Sequence, residues 1–579
     1  MKADFQIKRR VIESGGAWSG DLLPVLQRVY QARAVQSPDE VDYQLKRLLS
    51  FTELKGIQPA VERLLGCLQQ QQRVLVIGDF DADGATSTAL AVRALRAMGL
   101  QQVDYLVPNR FEYGYGLTPE IVTVASKSTP DLIITVDNGI SSIAGVEAAN
   151  KYGIEVLVTD HHLPAEGLPA AVALVNPNQP GDTFASKNLA GVGVIFYVMM
   201  ALRARLREVD WFTQQGIEEP NLAQFLDLVA LGTVADVVVL DHNNRILVSQ
   251  GLARIRAAQC CPGILALLKI AGRDYQRLAA SDLGFCVGPR LNAAGRLEDM
   301  SLGIECLLSD DTERSMQLAV QLDELNQARR GIETDMQQQA LAVLKTMQFD
   351  NTSDFPVGVC LFNEAWHEGV IGILASRIKE RLHRPVIAFA LSGSGLLKGS
   401  ARSIPGVHIR DVLDSVAAHY PELLEKFGGH AMAAGLTLQP AAYEAFSLAF
   451  DAEIRRVVTE DLLTGVIHSD GELRVAEMNL QTAQALRNAG PWGQGFPEPI
   501  FDGEFEIVHK RIVGERHLKL QVKPINAPFV MDAIAFNTTD AAWPAEVRRV
   551  HLAYRLDVNE FNGNINPQLM VEQLQCLSG

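Results

Sequence analysis

Short apolar runs at 73–78, Val103–Val107, Leu132–Val136, Ile154–Val158 and Val172–Val175 constrain this chain more than any other feature of it. Helix-like stretches separate several of them, among them Ala85–Met98 and 142–151. Strands that alternate with helices at this spacing predict a doubly wound parallel sheet. In such sheets the ligand sites lie at the carboxyl ends of the strands. The polar clusters of this region all fall there. The first run leads into Asp79, Asp81 and Asp83, the third ends in Asp137-Asn138-Gly139, and the fourth in Thr159-Asp160-His161-His162.

The first cluster allows two readings. Asp79, Asp81 and Asp83 stand at every second position, so an extended backbone would turn them to one side. Carboxylates crowded in this way repel one another unless cations hold them, and oxygen-rich sites suit divalent ions such as Mg²⁺ and Mn²⁺. The alternative is a polar strand-to-helix turn with Asp83 or Thr86 as the helix cap. Asp236 poses a similar choice. It follows the apolar stretch Phe225–Gly232, where an isolated carboxylate is costly, so it is a cap, a paired core acid or a metal ligand.

A chain of 579 residues exceeds one core and predicts three or four domains. Its formal charge of −16 argues against a surface coated for nucleic acid, although a local basic groove remains compatible with it. The seven cysteines are scattered without a C-x-x-C pair, which points to buried thiols in a reducing compartment. No secretory leader and no long apolar span is predicted, and the expected setting is the cytoplasm, away from membranes.

The remaining segments carry further expectations. Short helices are predicted at 22–30 and 40–49, and a largely helical stretch over 190–256. Gly288–Arg296 reads as a glycine-punctuated loop whose arginines either bind phosphate or lie solvated at the surface. The spacing predicts one long helix over 313–346, with Leu318, Leu322, Leu325, Ile332, Met336 and Val343 as its apolar seam and Arg329 and Gln339 interrupting it. A second α/β pattern follows, with strands at 357–362 and 386–391 and helices at 370–382 and 409–418. Gly428-Gly429-His430 reads as a turn before a helix at 431–435. From 465 onward short strands at 500–508, 510–513, 518–522, 532–536 and 550–558 predict a small barrel of the oligonucleotide-binding kind. Trp492 and Phe496 are either stacking platforms for single strands or packing residues at a domain joint, and Lys510, Arg511, Arg516, His517 and Lys519 supply positive charge.

Collected together, Asp79, Asp81, Asp83, Asp137, His161, His162 and Asp236 offer five carboxylates and two imidazoles. This exceeds one octahedral ion and suits two divalent ions, with mixed His/Asp ligation favouring Mn²⁺ somewhat over Mg²⁺. Paired metals clamp the attacking and leaving oxygens of a phosphoryl displacement. The residues thus point to metal-dependent hydrolysis of a phosphate ester and leave the polymer open.

The ordered series Asp79-Phe80-Asp81-Ala82-Asp83-Gly84, Val136-Asp137-Asn138-Gly139 and Thr159-Asp160-His161-His162 resembles the motifs of the DHH phosphoesterase superfamily. Gly288–Arg296 is similar to a segment of its RecJ branch, and Lys426-Phe427-Gly428-Gly429-His430 resembles the motif of the associated DHHA1 domain. The resemblance implies a helical lead-in (1–54), a DHH catalytic domain (55–312), a connecting helix (313–346), a DHHA1 substrate-binding domain (347–464) and an OB-like single-strand-binding domain (465–579). It implies 5′→3′ hydrolysis of single-stranded DNA to mononucleotides in recombination, mismatch repair and processing of stalled forks, with Mn²⁺ or Mg²⁺ bound between the two α/β domains. Single-stranded-DNA-binding protein and a RecQ-type helicase are the expected partners. The seven residues above become the metal site, and Asp160 orients the neighbouring imidazoles. Asn292, Arg296, Ser376, Arg377, Ser400, Arg402, Gly429 and His430 are expected at the substrate phosphates, and Arg110 and Tyr115 along the strand. A small-substrate phosphatase of the same superfamily, or a catalytically silent replication scaffold, is the alternative. The barrel argues against the first and the full set of expected metal ligands against the second.

Overall fold

The structure is a computed structural model. It describes residues 5–12, 18, 22–109, 113, 116–346, 355–514, 517–525, 527–536, 538, 547–561 and 563–577. Contacts divide the chain into two compact units: Val11–Asn326 with Asp470–Glu572 and Cys576–Gly579, and Met1–Arg10 with Gln327–Ser469 and Gln573–Gln575.

In the first unit a parallel sheet has the spatial order Val103–Leu106, Val74–Ile77, Leu132–Val136, Glu155–Thr159, Ala173–Val175. The strands Val74–Ile77 and Leu132–Val136 are buried along their whole length, as expected of parallel strands covered on both faces. The helix Ala82–Ala97 packs on Gly191–Glu208 and Leu226–Ala235. The chain leaves Val74–Ile77 for the edge strand on one side, then returns to Leu132–Val136 on the other. The strand order therefore reverses beside Val74–Ile77, and its carboxyl end is the topological switch point.

The predicted barrel is present as a closed sheet of Phe501–Val513, His517–Pro524, Met531–Ala535, Asn564–Cys576 and Arg549–Phe561. Two expectations there are corrected. The strands read at 500–508 and 510–513 are one strand, whose register shifts between Ile507 and His509. A bulge at Val508 breaks the alternation that the sequence displays. The strand Asn564–Cys576 escaped prediction altogether and closes the barrel by pairing parallel to Met531–Ala535. Phe496 is 2% exposed. It stacks at 5.1 Å on Trp492, and the Arg245 guanidinium lies 4.2 Å from its ring centroid. Trp492 and Phe496 are thus packing residues of a joint that also buries the Arg33–Asp470 ion pair at 2.8 Å. The helix predicted at 40–49 is replaced by 3₁₀ turns, Pro38–Val41 and Leu45–Arg47. There Asp42 Oδ1 accepts from the backbone N–H of Gln44 (3.3 Å), a local side-chain-to-backbone bond that competes with helix.

The second unit holds a mixed sheet in the order Lys426–Gly429, Ala433–Leu438, Leu397–Arg402, Val386–Leu391, Val359–Phe362, in which only the last pair is parallel. The helix expected at 431–435 is the start of a strand. Ala434, Leu436 and Leu438 are buried at every second position, which is strand period and not helix period. Phe5–Arg9 runs parallel to Gly465–Ser469 in this unit. The long helix spans Thr312–Thr346 as expected, and the division between the units falls within it. Leu318, Leu322 and Met336 are buried, but Val343 is exposed. Arg329 is buried beside Glu333 at 2.9 Å, so it belongs to the packed face it was expected to interrupt.

Candidate metal centre

The acidic cluster forms at the switch point, and by a different geometry from the alternation that suggested it. The strand stops at Ile77, and the helix begins at Ala82 with Asp81 as its N-cap. Asp81 Oδ1 accepts from the backbone N–H of Asp83 (2.9 Å) and Gly84 (3.0 Å). Asp81 is therefore the helix cap, in place of the expected Asp83 or Thr86, and it also belongs to the cluster. Asp83 lies in the first turn. Its carboxylate accepts from the N–H of Gly191 (2.6 Å) and Val192 (3.0 Å), at the start of the helix Gly191–Glu208, where the helix dipole favours negative charge.

Asp137 leaves its strand in the left-handed region, φ +63°, a conformation that aspartate tolerates better than most residues. The neighbouring Asn138 ties the strand ends together, donating to Ile77 O and Val136 O. A Cβ at Gly191 would fall 2.5 Å from Asp137 Cβ. Only a glycine there lets the helix that holds Asp83 also approach Asp137. Asp236 caps the C-terminus of Leu226–Ala235.

Asp160 orients the histidine pair. Its Oδ1 accepts from His161 N, His162 N and His162 Nδ1 (2.7, 3.1 and 2.7 Å), and Oδ2 accepts from Ile140 N (2.9 Å). Burial would raise the Asp160 pKa, but the His162 bond and charge and the Ile140 amide outweigh it and hold it down. For His162 burial works toward neutrality, and the Asp160 bond and the surrounding carboxylates overcome it, raising its pKa to about 9. Burial, aided by the His162 charge, holds His161 at about 4 and neutral. His161 Nε2 is buried, 3.1 Å from Asp137 Oδ1 and 3.5 Å from Asp236 Oδ2.

Three groups of donor atoms lie within 4.8 Å of one another: Asp137/His161/His162, Asp83/His161/Asp236 and Asp79/Asp81/Asp137. Asp137 and His161 are shared between groups, so the seven expected residues form one continuous cluster. Burial first, and the neighbouring carboxylates second, raise Asp83 to about 7 and push Asp137 and Asp236 well above the ordinary carboxylate range. The carboxylates cannot all ionise at neutral pH without positive charge between them. A neutral buried imidazole among crowded carboxylates is a donor set that fits divalent ions such as Mn²⁺ or Mg²⁺. Asp160→Ala should weaken divalent-metal affinity by about 10–100-fold, because His162 loses the acceptor that fixes its ring. Calorimetric titration with Mn²⁺ checks this.

The segment 288–296, expected as a loop, is a helix, Gly288–Leu297. It lies against the turn at Phe80, where a Cβ at Gly295 would fall 1.8 Å from Phe80 O. Asn292 Oδ1 accepts from Ala82 N (2.7 Å) and so holds the first turn behind Asp81 and Asp83. Arg290 is bound to Asp323 (2.8 Å), and Arg296 sits half-buried at the helix end.

In the second unit the sheet brings four expected residues together. Arg402 pairs with Ala433, whose carbonyl accepts from His430 N, and Gly429 pairs with Ala434. Arg402 Nη1 donates to Ser400 Oγ (3.0 Å) and Ala401 O (2.8 Å), and burial lowers its pKa. A Cβ at Gly372 would lie 2.9 Å from Arg402 Nη2 and 3.0 Å from Ser400 Oγ, so the helix Ile371–Leu382, which carries Ser376, reaches the same place. Arg377 on that helix is engaged elsewhere, with Glu333 (3.0 Å) and Glu380 (3.4 Å). Arg110 and Tyr115 lie outside the described residues.

Sequence reasoning missed the parts that hold the cluster in place: Gly191, Val192, Asn138 and Ile140. The only trace of them was Asn138-Gly139 after a strand and a glycine opening an apolar helix.

The model of the DHH family, N-terminal domain, matches residues 73–233, that of the DHHA1 domain 354–456, and that of the RecJ OB domain 469–573. Together with the switch-point cluster these place the chain in the class of DHH-domain proteins. The Single-stranded-DNA-specific exonuclease RecJ of Escherichia coli (strain K12) is 53% identical over 575 residues, 99% of this chain and all of that protein. That of Dickeya dadantii (strain 3937) is 56% identical over 96% of each. The crystal structure of RecJ in complex with Mn²⁺ from Thermus thermophilus superposes with a TM-score of 0.79 at 30% identity, covering 96% of this chain and 76% of that one. The chain belongs to the RecJ family.

Proposed function

We propose that this protein is a single-stranded-DNA-specific 5′→3′ exonuclease that releases mononucleotides in recombination, mismatch repair and stalled-fork processing. The observation that carries the reading is the convergence of Asp79, Asp81, Asp83, Asp137, His161, His162 and Asp236 at the switch point of a chain 53% identical to an exonuclease of that specificity. We assign 55–312 to catalysis, 313–346 to the connecting helix, 347–464 to substrate binding and 465–579 to single-strand binding, after a lead-in of 1–54. The setting is the cytoplasm, with single-stranded-DNA-binding protein and a RecQ-type helicase as partners. Among the described residues no helix is long and apolar enough to cross a membrane.

Two divalent ions held by those seven residues would supply a hydroxide at neutral pH and stabilise both oxygens of an in-line displacement. The chain's own groups prepare that chemistry. Asp160 fixes the ring of His162, the amides of Gly191 and Val192 aim Asp83, and the left-handed turn at Asp137 presents its carboxylate to both halves of the cluster. The half-buried guanidinium of Arg402, with Ser400 beside it, is suited to a phosphate oxygen of the strand, and His430 and Gly429 lie next to it in the sheet. Asn292 and Arg296 serve from the helix that backs the aspartate turn.

End-labelled strands test the reading. With Mn²⁺ present, 5′-labelled single strands should yield labelled mononucleotide from the earliest times, 3′-labelled strands should shorten progressively, and blunt duplex should resist. Early long fragments from the 5′ label, or equal cutting of duplex, would overturn it.

A further inference from the structure

A cavity of about 480 Å³ opens in the first unit, away from the metal centre. Arg93 and Arg96 line it from the last turns of the helix Ala82–Ala97, whose first turn carries Asp83. At 1.5 Å per residue the two places are about 15–20 Å apart along the helix. Arg254, near the end of His242–Arg256, supplies a third guanidinium, and Asp227 and Asp310 are the acids of the lining.

Two carboxylates face three guanidiniums, so one positive charge is left unbalanced. Asp227 is buried, and its oxygens are taken by its own chain, accepting from Leu228 N (2.8 Å) and Cys261 N (2.7 Å). Asp310 pairs with Arg93, whose other nitrogen donates to Leu307 O and Leu308 O. Among the described residues Arg96 donates to the carbonyl of Val103 alone, and Arg254 Nε is buried without a hydrogen-bond partner. Guanidiniums gathered in a recess with donors to spare, on a chain of net charge −16, suit an anion with several acceptor oxygens. The volume admits a small ligand and excludes a folded partner.

We propose that this cavity is a second anion site, which takes a phosphate monoester of mononucleotide size or smaller. Arg254 and Arg96 are its free donors, Arg93 is its anchored wall, and Phe225 and Leu228 offer the apolar side against which a nucleoside can lie. The assignment stands on the cavity alone and does not depend on the reaction proposed for the metal centre.

Calorimetric titration of the full chain in chelator tests it, on an Arg402→Gln background that removes this guanidinium of the second unit as a competing phosphate site. The probes are inorganic phosphate, a deoxynucleoside 5′-monophosphate and the corresponding nucleoside. Phosphate and nucleotide should bind, and the nucleoside should not. Equal affinity assigns the site to the phosphate group alone, whereas tighter nucleotide binding adds the apolar wall. Arg254→Gln and the exposed Arg96→Gln should each weaken binding about tenfold, the scale of one lost charge-assisted hydrogen bond. Hydrogen exchange should slow at 258–264 when phosphate is added, a readout independent of either variant. Binding that both variants leave unchanged, nucleoside binding as tight as nucleotide binding, or protection confined to other segments would overturn the assignment.

Discussion

Asp81→Asn should reduce strand hydrolysis on the order of 10³-fold while the protein stays folded and still binds single strands. Asp81 has two tasks that the substitution separates. As N-cap it accepts from the amides of Asp83 and Gly84, and asparagine caps a helix as well as aspartate does. As a member of the Asp79/Asp81/Asp137 group it brings a charge that asparagine lacks. Asp81→Ala loses both, and the missing cap should cost about 1 kcal/mol of stability in addition. Denaturant unfolding, filter binding of a labelled strand and the hydrolysis rate together separate the effects. If Asp81→Asn keeps near-full activity, Asp81 is a cap alone.

Asp137→Asn should make the metal-free protein more stable than the parent at neutral pH, and should remove most of the stabilisation that divalent metal confers. The folded-state pKa values of Asp83 (about 7), Asp137 and Asp236 lie above the unfolded value of 3.8. The contribution of such groups is fully present below the unfolded pKa and is lost as pH rises through the folded one. Without metal the parent should therefore lose stability between about pH 4 and pH 7. The substitution removes one of the repelling charges and keeps the left-handed turn, which asparagine adopts readily. The difference in melting temperature between variant and parent should be negligible near pH 4 and grow toward pH 7. Metal at a thousand times its dissociation constant should stabilise the parent by about 4 kcal/mol, and the variant by much less. Parallel melting curves across this pH range would contradict the account.

How legible the chain was depends on the range of the interaction. The parallel sheet could be read because strands such as Val74–Ile77 are apolar throughout and the acids follow closely. The seven residues of the cluster could be read because they lie at the ends of those strands or of a neighbouring helix. What holds them could not, because Gly191 meets Asp137 and Asn292 meets Ala82 across 54 and 210 positions of chain respectively. The aspartate turn shows how a correct inference can rest on the wrong geometry. Alternation along a strand suggested that Asp79, Asp81 and Asp83 converge. They do so because the strand ends and a helix starts, and the second aspartate caps it. The glycines of 288–296 suggested a loop, but Gly295 is needed for close packing of a helix against Phe80. At 431–435 small residues concealed a period of two that becomes plain only at Leu436 and Leu438.

The central claim is that these strand and helix ends assemble a centre for paired divalent ions. Anomalous diffraction from crystals of the full chain soaked in Mn²⁺ tests it most directly. The account predicts two peaks, both ligated from within the set Asp79, Asp81, Asp83, Asp137, His161, His162 and Asp236, and Asp137 shared between them. Peaks placed elsewhere, or a cluster that stays free of Mn²⁺ at saturating concentration, would contradict it.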